Sequence, residues 1–494
     1  MGAGVSCWSL AREVSRLGQL GVVSGTALDS ILARRLNIGD PGGHVREAMA
    51  AFPVPRVAQE VLAKYYRPEG EIDAEGAQGN RFKLLPLPRA ILTPERQWLL
   101  ILANFVEVYL ARQGALEGGG KVGINYLHKI QLPNLASMYG AMLAQVDAVL
   151  MGAGIPVDIP PALDKLSRHE PASLDVEMLD DTPTKPTIDF DPMALWRAEG
   201  LEPPTLTKPK FLAIISSVVL AKALLKKVPG GIDGFIVEAP TAGGHNAPPR
   251  GPMQLSVRGE PIYGPRDDVD FSQLVALGKP FWLAGGYGTR DKFEAALATG
   301  AQGVQLGTIF AFCNESGLEP ELRTKFLESL IAGEAWVFTD PLASPTNFPF
   351  KVAMMKETLS DEGPYQARPR LCDLGYLRRA YTKPDGTVGY RCPSEPDDEY
   401  LAKGGDAEQL VGRKCLCNAL MANIGLGQRR KDGYVELPML TAGDDLHCIK
   451  PFIKPGQTEY HVSDVLSSLG LLPAPAVMTA SSFAPAAAST ADAT

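Results

Sequence analysis

The chain has 494 residues, 45% of them hydrophobic and 21% charged, enough for one large domain with an appended region or for two or three smaller ones. A net charge of −8 with no dense Lys/Arg run gives nucleic-acid binding no electrostatic support. Seven unevenly spaced cysteines, a start (MGAGVSCWSL) without a basic n-region, and no uninterrupted apolar span lead us to expect a cytoplasmic, soluble protein outside the membrane.

Short β-branched or apolar runs recur along the chain, each followed by a helical stretch. Strands are predicted at 1–6, 20–25, 121–127, 148–154, 211–217, 234–239, 281–285 and 303–310. Helices are predicted between them, over 8–17, 97–113, 135–145, 217–227 and 290–297. Eight strands alternating with helices predict an α/β fold, a (β/α)8 TIM barrel over residues 1–340. Two stretches, about 66–96 and 156–209, read as loop insertions because they are polar, Gly-containing or rich in Pro and acidic groups. Residues 341–470 form a Cys-containing C-terminal region expected to pack on the barrel, and the Ala/Ser/Thr/Pro tail 471–494 is expected to be disordered.

Three motifs carry chemistry. The run Glu238 to Asn246 (EAPTAGGHN) ends the sixth strand, on the face where parallel barrels place their active sites. Gly243 and Gly244 let the backbone approach a flat ligand, and His245 then projects into the barrel mouth as a candidate proton-transfer group. The second motif pairs the loop at Gly285 and Gly286 with Gln305, Leu306, Gly307 and Thr308 at the ends of strands seven and eight. Barrels bind phosphate at these two loops through backbone N–H groups. By contrast, Gly118, Gly120 and Gly123 match a dinucleotide fingerprint only as a string, because they precede a strand instead of following one.

The third feature is Cys372, Cys392, Cys415 and Cys417. Their long spacings and Cys-x-Cys pair favour buried reduced thiols and no metal, with a zinc or iron–sulfur site as the alternative. The turn from Ser344 to Lys351 reads equally as a lid placing Lys351 over the substrate and as a packed loop.

The segments MGAGVSCWSLAREVSRLGQLGVVSG, VGINY, AGGH, AGGYG and GVQLGT occur in the order found in the nitronate monooxygenase (2-nitropropane dioxygenase) family, which residues 1 to about 340 resemble. That superfamily includes FMN-dependent enoyl-thioester reductases. The stretches TDPLASPTNFPFKVA, CDLGYLRRAY, GYRCPSEP and GRKCLCNALMANIGLGQ resemble a long-form branch of the family.

The resemblance implies a non-covalent FMN across the top of the barrel. Met1 and Gly2 would border its ring, Asn125 would hydrogen-bond it, and Glu238 stands where relatives often carry Gln. Gly243 and Gly244 would back the ring, while Gly286 and Gln305 to Thr308 would hold the ribityl chain and phosphate. His245 falls on the family's active-site histidine.

Two departures stand out. Thr241 replaces the acidic residue usual before Ala-Gly-Gly-His, and the chain starts inside the first strand, so that strand is expected to be short or continued upstream. The leading expectation is oxidation of an alkyl nitronate by FMN and O2 to a carbonyl compound and nitrite. The alternative is NAD(P)H-dependent reduction of an enoyl thioester, and a barrel without cofactor acting by interaction is a third reading. Partners are expected to be a small-molecule substrate and O2, with neither nucleic acid nor membrane and with a homodimer left open.

Overall fold

The computed structural model describes residues 2–68, 80–181 and 185–472. Seven of the eight expected strands are present: β1 (Leu20–Ser24), β2 (Lys121–Leu127), β3 (Ala148–Gly152), β4 (Lys210–Ile215), β5 (Gly234–Glu238), β6 (Phe281–Ala284) and β7 (Gly303–Gln305). They form one parallel sheet in sequence order, joined in register by pairs such as Ser24↔Asn125, Leu127↔Gly152 and Glu238↔Ala284. Among the described residues β7 does not pair with β1, so the arrangement is a curled, open half-barrel and not the closed eight-stranded barrel expected.

The expected first strand is replaced by a turn. Met1 lies outside the described residues, and Gly4 adopts a left-handed φ of 65° that no extended strand allows. The segment still docks on β1, because Ser24 N–H donates to the Ser6 carbonyl at 2.8 Å and the Ser6 hydroxyl donates to the Val22 carbonyl at 2.6 Å.

Alternation along the strands sorts side chains into two layers. Val22, Leu150, Leu212, Ile236 and Ala284 form an inner cluster beneath the site, and residues from both edge strands line the same cavity. The opposite set, including Ile124, Val149, Phe211, Phe235 and Phe281, is buried in the larger core that the helices cover. The longest helix, α1 (Pro94–Gly118), opens on a Thr93 hydroxyl that caps the Arg96 N–H, and it closes on Gly119 in the left-handed conformation.

By length and composition this helix could cross a membrane, contrary to the expectation that no segment would pass that test. Its most apolar window is 72% buried inside the protein, and Asn104 on it receives the Tyr126 hydroxyl at 2.8 Å. These are the properties of a core helix.

Of the two expected insertions, residues 69–79 and 182–184 fall outside the described set. The second holds a small antiparallel hairpin, Ala172–Asp175 with Thr187–Phe190. After the sheet, β8 (Val337–Asp340) and β9 (Phe350–Ala353) form a second hairpin. Buried Leu374, Tyr376, Leu416 and Met439 join the same core as the sheet.

Candidate functional site

At the carboxyl ends of the strands lies a cavity of about 730 Å³, within the range of small-molecule and cofactor sites. Gly2, Asn125, Glu238, Gly243, Gly244, His245, Gly285, Gly286 and Gln305 to Thr308 all line it. The residues singled out in the sequence are therefore brought together, save Met1, which is outside the described residues, and Lys351.

Both glycine loops are shaped by contacts that a side chain would break. Gly285 and Gly286 have φ of 102° and 87°, and a Cβ on Gly285 would stand 2.8 Å from the Thr241 hydroxyl. That hydroxyl donates to the Gly285 carbonyl at 3.1 Å. Thr241, in place of the acidic residue expected there, thus links the two loops with a donor that a carboxylate lacks. Gln305 Oε1 is buried without a hydrogen-bond partner, which marks an acceptor left for a ligand in the cavity.

His245 is fixed from behind. β9 pairs with its loop, with Lys351 N–H donating to the Gly244 carbonyl and Asn246 N–H to the Pro349 carbonyl, both at 2.9 Å. The imidazole packs edge-on against Phe350, with centroids 4.8 Å apart, and its Nε2 lies 2.7 Å from the Ser344 hydroxyl. His245 also lines the cavity. Burial holds the imidazole well below its usual basicity, and the nearby Lys129 ammonium adds to the effect.

Two further ionisable groups sit close by. Burial pushes the Glu238 carboxyl up to about 7, although cations including Lys129 oppose the shift. Lys129 is pulled down to about 7 by desolvation, against the attraction of Glu238. The sequence reading missed Lys129. Its signal was position, two residues beyond the end of β2.

Lys351 is not a lid residue. Its ammonium is buried, 2.7 Å from the Thr339 hydroxyl and 2.6 and 2.7 Å from the two Asp444 carboxylate oxygens. It clamps the β8–β9 hairpin to the loop 441–445. Lys351→Met is expected to cost about 1–2 kcal/mol, below the value for a fully buried pair because Asp444 is partly solvated. Thermal unfolding checks this, and an unchanged midpoint would deny the clamp any weight.

The loop 441–445 is a second contribution missed in the sequence. Thr441, Ala442, Gly443 and Asp445 line the cavity. The Thr441 hydroxyl accepts Gly244 N–H at 2.9 Å, and Gly443 N–H donates to the Thr308 hydroxyl at 2.8 Å. A Cβ on Gly443 would stand 2.6 Å from the Thr241 carbonyl oxygen. The shared Thr-Ala-Gly of residues 241–243 and 441–443 was the available signal, because two small-residue turns can pack back to back.

Cys372, Cys392, Cys415 and Cys417 gather around one small pocket behind this region. Desolvation raises the thiols of Cys372, Cys392 and Cys417, that of Cys392 to about 12, which keeps it protonated at neutral pH. Among the described residues no group of three or more His, Cys, Asp or Glu side chains is arranged to hold a metal ion.

Residues 207–340 match the family described as nitronate monooxygenase. A probable nitronate monooxygenase of Bacillus subtilis (strain 168) is 36% identical over 99 residues, which cover 20% of this chain and 27% of that protein. The match thus spans about a quarter of the curated relative's length. The resemblance read from the motifs is met over the part that carries His245 and both glycine loops.

Solved structures similar to the chain include a nitroalkane oxidase from Streptomyces ansochromogenes, 17% identical, covering 86% of this chain and 94% of that one, with a TM-score of 0.37. FabK from Thermotoga maritima is 16% identical, covering 77% and 82% of the two chains, with a TM-score of 0.37. The enoyl reductase domain of MlnA from Bacillus amyloliquefaciens is 13% identical, covering 74% and 85%, with a TM-score of 0.39.

Proposed function

We propose that the chain is a flavin-dependent oxidoreductase, a reading supported by the match of residues 207–340 to the nitronate monooxygenase family, and that it holds FMN in this cavity. From the contact behind His245 we further propose that it reduces enoyl thioesters with NAD(P)H. The residues fit the cofactor. Gly285 and Gly286 leave a side-chain-free cradle, Gln305 offers an unpaired acceptor, and Gly2, Asn125, Glu238, Gly243 and Gly244 line the space for a flat ring. Leu306, Gly307 and Thr308 would hold the phosphate end together with Gly286. Bound flavin would supply the hydride chemistry, and the protein orients the substrate and manages protons.

The observation that carries the reductive reading is the hydroxyl behind His245. Ser344 can hand a proton to Nε2 as the ring releases one from Nδ1, so a proton is delivered without forming the imidazolium that burial disfavours. Reduction of a conjugated double bond needs such a proton at carbon. Oxidation of a nitronate, already a carbanion equivalent, needs none there.

Nitronate oxidation remains the second reading, favoured by the description of the matched family. The two separate in one comparison. Anaerobic NAD(P)H oxidation driven by a crotonyl thioester is expected, with weak O2 uptake on propionate 3-nitronate. Strong nitronate turnover with none on the thioester would reverse the assignment.

A further inference from the structure

A polar chain runs from His245 away from the cavity and ends on a lysine that the reaction has not yet used. The Ser344 hydroxyl, 2.7 Å from His245 Nε2, lies 2.8 Å from the Thr346 hydroxyl. Lys129 Nζ donates to that same Thr346 hydroxyl at 3.2 Å and sits 4.4 Å from the centre of the Phe348 ring. Three links therefore join the half-buried Lys129 to His245 Nε2.

We propose that Lys129 is the proton source for His245, acting through Thr346 and Ser344, and that this file is the proton inlet of the site. The inference rests on the reductive reading above and deepens it.

An ammonium can only donate, so Thr346 accepts from Lys129. The Ser344–Thr346 and Ser344–His245 contacts allow either direction, and the proposed file takes the one in which Thr346 donates to Ser344 and Ser344 to Nε2. Ser344 Oγ also accepts the Thr346 backbone N–H at 3.2 Å. In that arrangement His245 is the neutral tautomer with its proton on Nδ1.

Once the substrate has accepted hydride at Cβ, the electron pair left on Cα forms a C–H bond with the Nδ1 proton. Nε2 gains the proton of Ser344, Ser344 that of Thr346, and Thr346 that of Lys129. Each O–H or N–H bond broken is matched by one formed. Lys129 ends as a neutral amine and His245 as the Nε2–H tautomer; the file resets when Lys129 takes up one proton and the ring proton returns from Nε2 to Nδ1.

The surroundings suit that role. Glu238 on β5 faces Lys129 with opposing charge, and His245 follows on the next loop. From the C-terminal region, Arg413 donates to the Ser344 carbonyl at 2.6 Å and also holds Asn347. On its own turn, neighbouring His128 is paired with Asp158 and Glu177, not with Lys129. Desolvation brings Lys129 to about 7, where an ammonium can release a proton near neutral pH.

The test uses the flavin-loaded full chain and separates the two half-reactions. Thr346→Val keeps the shape but cuts the file. Lys129→Arg keeps the cation over Phe348 but cannot give up its proton. Both variants are expected to accept electrons from NAD(P)H at the wild-type rate and to pass them to the crotonyl thioester about 10²-fold more slowly. Lys129→Arg with an unchanged second half-reaction would overturn the proposal, since a merely structural lysine is replaced by arginine.

A second readout needs no turnover. ¹⁵N NMR of His245 should show protonated Nδ1 and bare Nε2, and ¹³C-labelled Lys129 should titrate near neutrality. A protonated Nε2, or a lysine titrating in the ordinary range, would overturn the file. If the wild type fails on the thioester altogether, the reductive reading falls, and the NMR pair still decides the file by itself.

Discussion

Replacing His245 with alanine is expected to lower turnover about 10²–10⁴-fold while the protein retains its flavin. The split follows from geometry. The groups proposed to cradle the cofactor are backbone groups of the glycine loops with Gln305, whereas His245 touches the protein through Ser344, Phe348 and Phe350. Removing the ring leaves those loops in place and removes the one imidazole that lines the cavity among the described residues. His245→Ala with activity within threefold of wild type, at equal flavin content, would sink the assignment.

The pH profile adds a sign. Because His245 is held well below its usual range, it stays neutral across pH 6–8 and contributes no break there. Breaks near 7 belong to Lys129 and Glu238, which interact and titrate as a pair.

Much of this site was legible because the sheet strands are short apolar runs ending in glycine turns, and the strand ends of a parallel sheet converge. Gly234–Glu238 followed by Gly-Gly-His could be placed from the sequence alone because strand, turn and side-chain exposure all follow from local composition. The strand expected at residues 1–6 failed because of a contact remote in sequence. Small apolar residues suit a strand, but the left-handed Gly4 and its close packing on Ile424 make a turn, and that contact spans 420 residues of sequence.

Lys351 and Lys129 could not be placed locally. From the sequence, the turn carrying Lys351 read equally as a lid and as a packed loop, and Asp444, on a loop 93 residues away, makes it the packed loop. Lys129, without a motif of its own, reaches Thr346 from 217 residues away. Pairings over such separations are set by how elements stack, and no local pattern encodes them.

Glu238 supports the second large prediction. Glu238 stands where the family resemblance implies Gln, and burial at the end of β5 pushes the carboxyl up to about 7. Below that pH the group is a neutral acid whose O–H can donate, as a glutamine amide can. Above it, the group is a buried anion that accepts only. If the acid form alone binds FMN, affinity is expected to weaken about tenfold between pH 6 and pH 8, since that step spans the titration. Glu238→Gln should bind at the tight limit with a flat profile.

Stability without cofactor should move the same way. A carboxyl whose folded pKa is raised contributes stability that is complete below its unfolded value of about 4.3 and is lost as pH rises through the folded value. Wild-type unfolding temperature should therefore fall relative to Glu238→Gln across pH 5–8, with the gap widest at the alkaline end. Fluorescence titration with FMN and thermal unfolding at each pH read both effects. Parallel profiles for the two proteins would mean that Glu238 is already ionised in the fold, and would remove it from the group that holds the flavin ring.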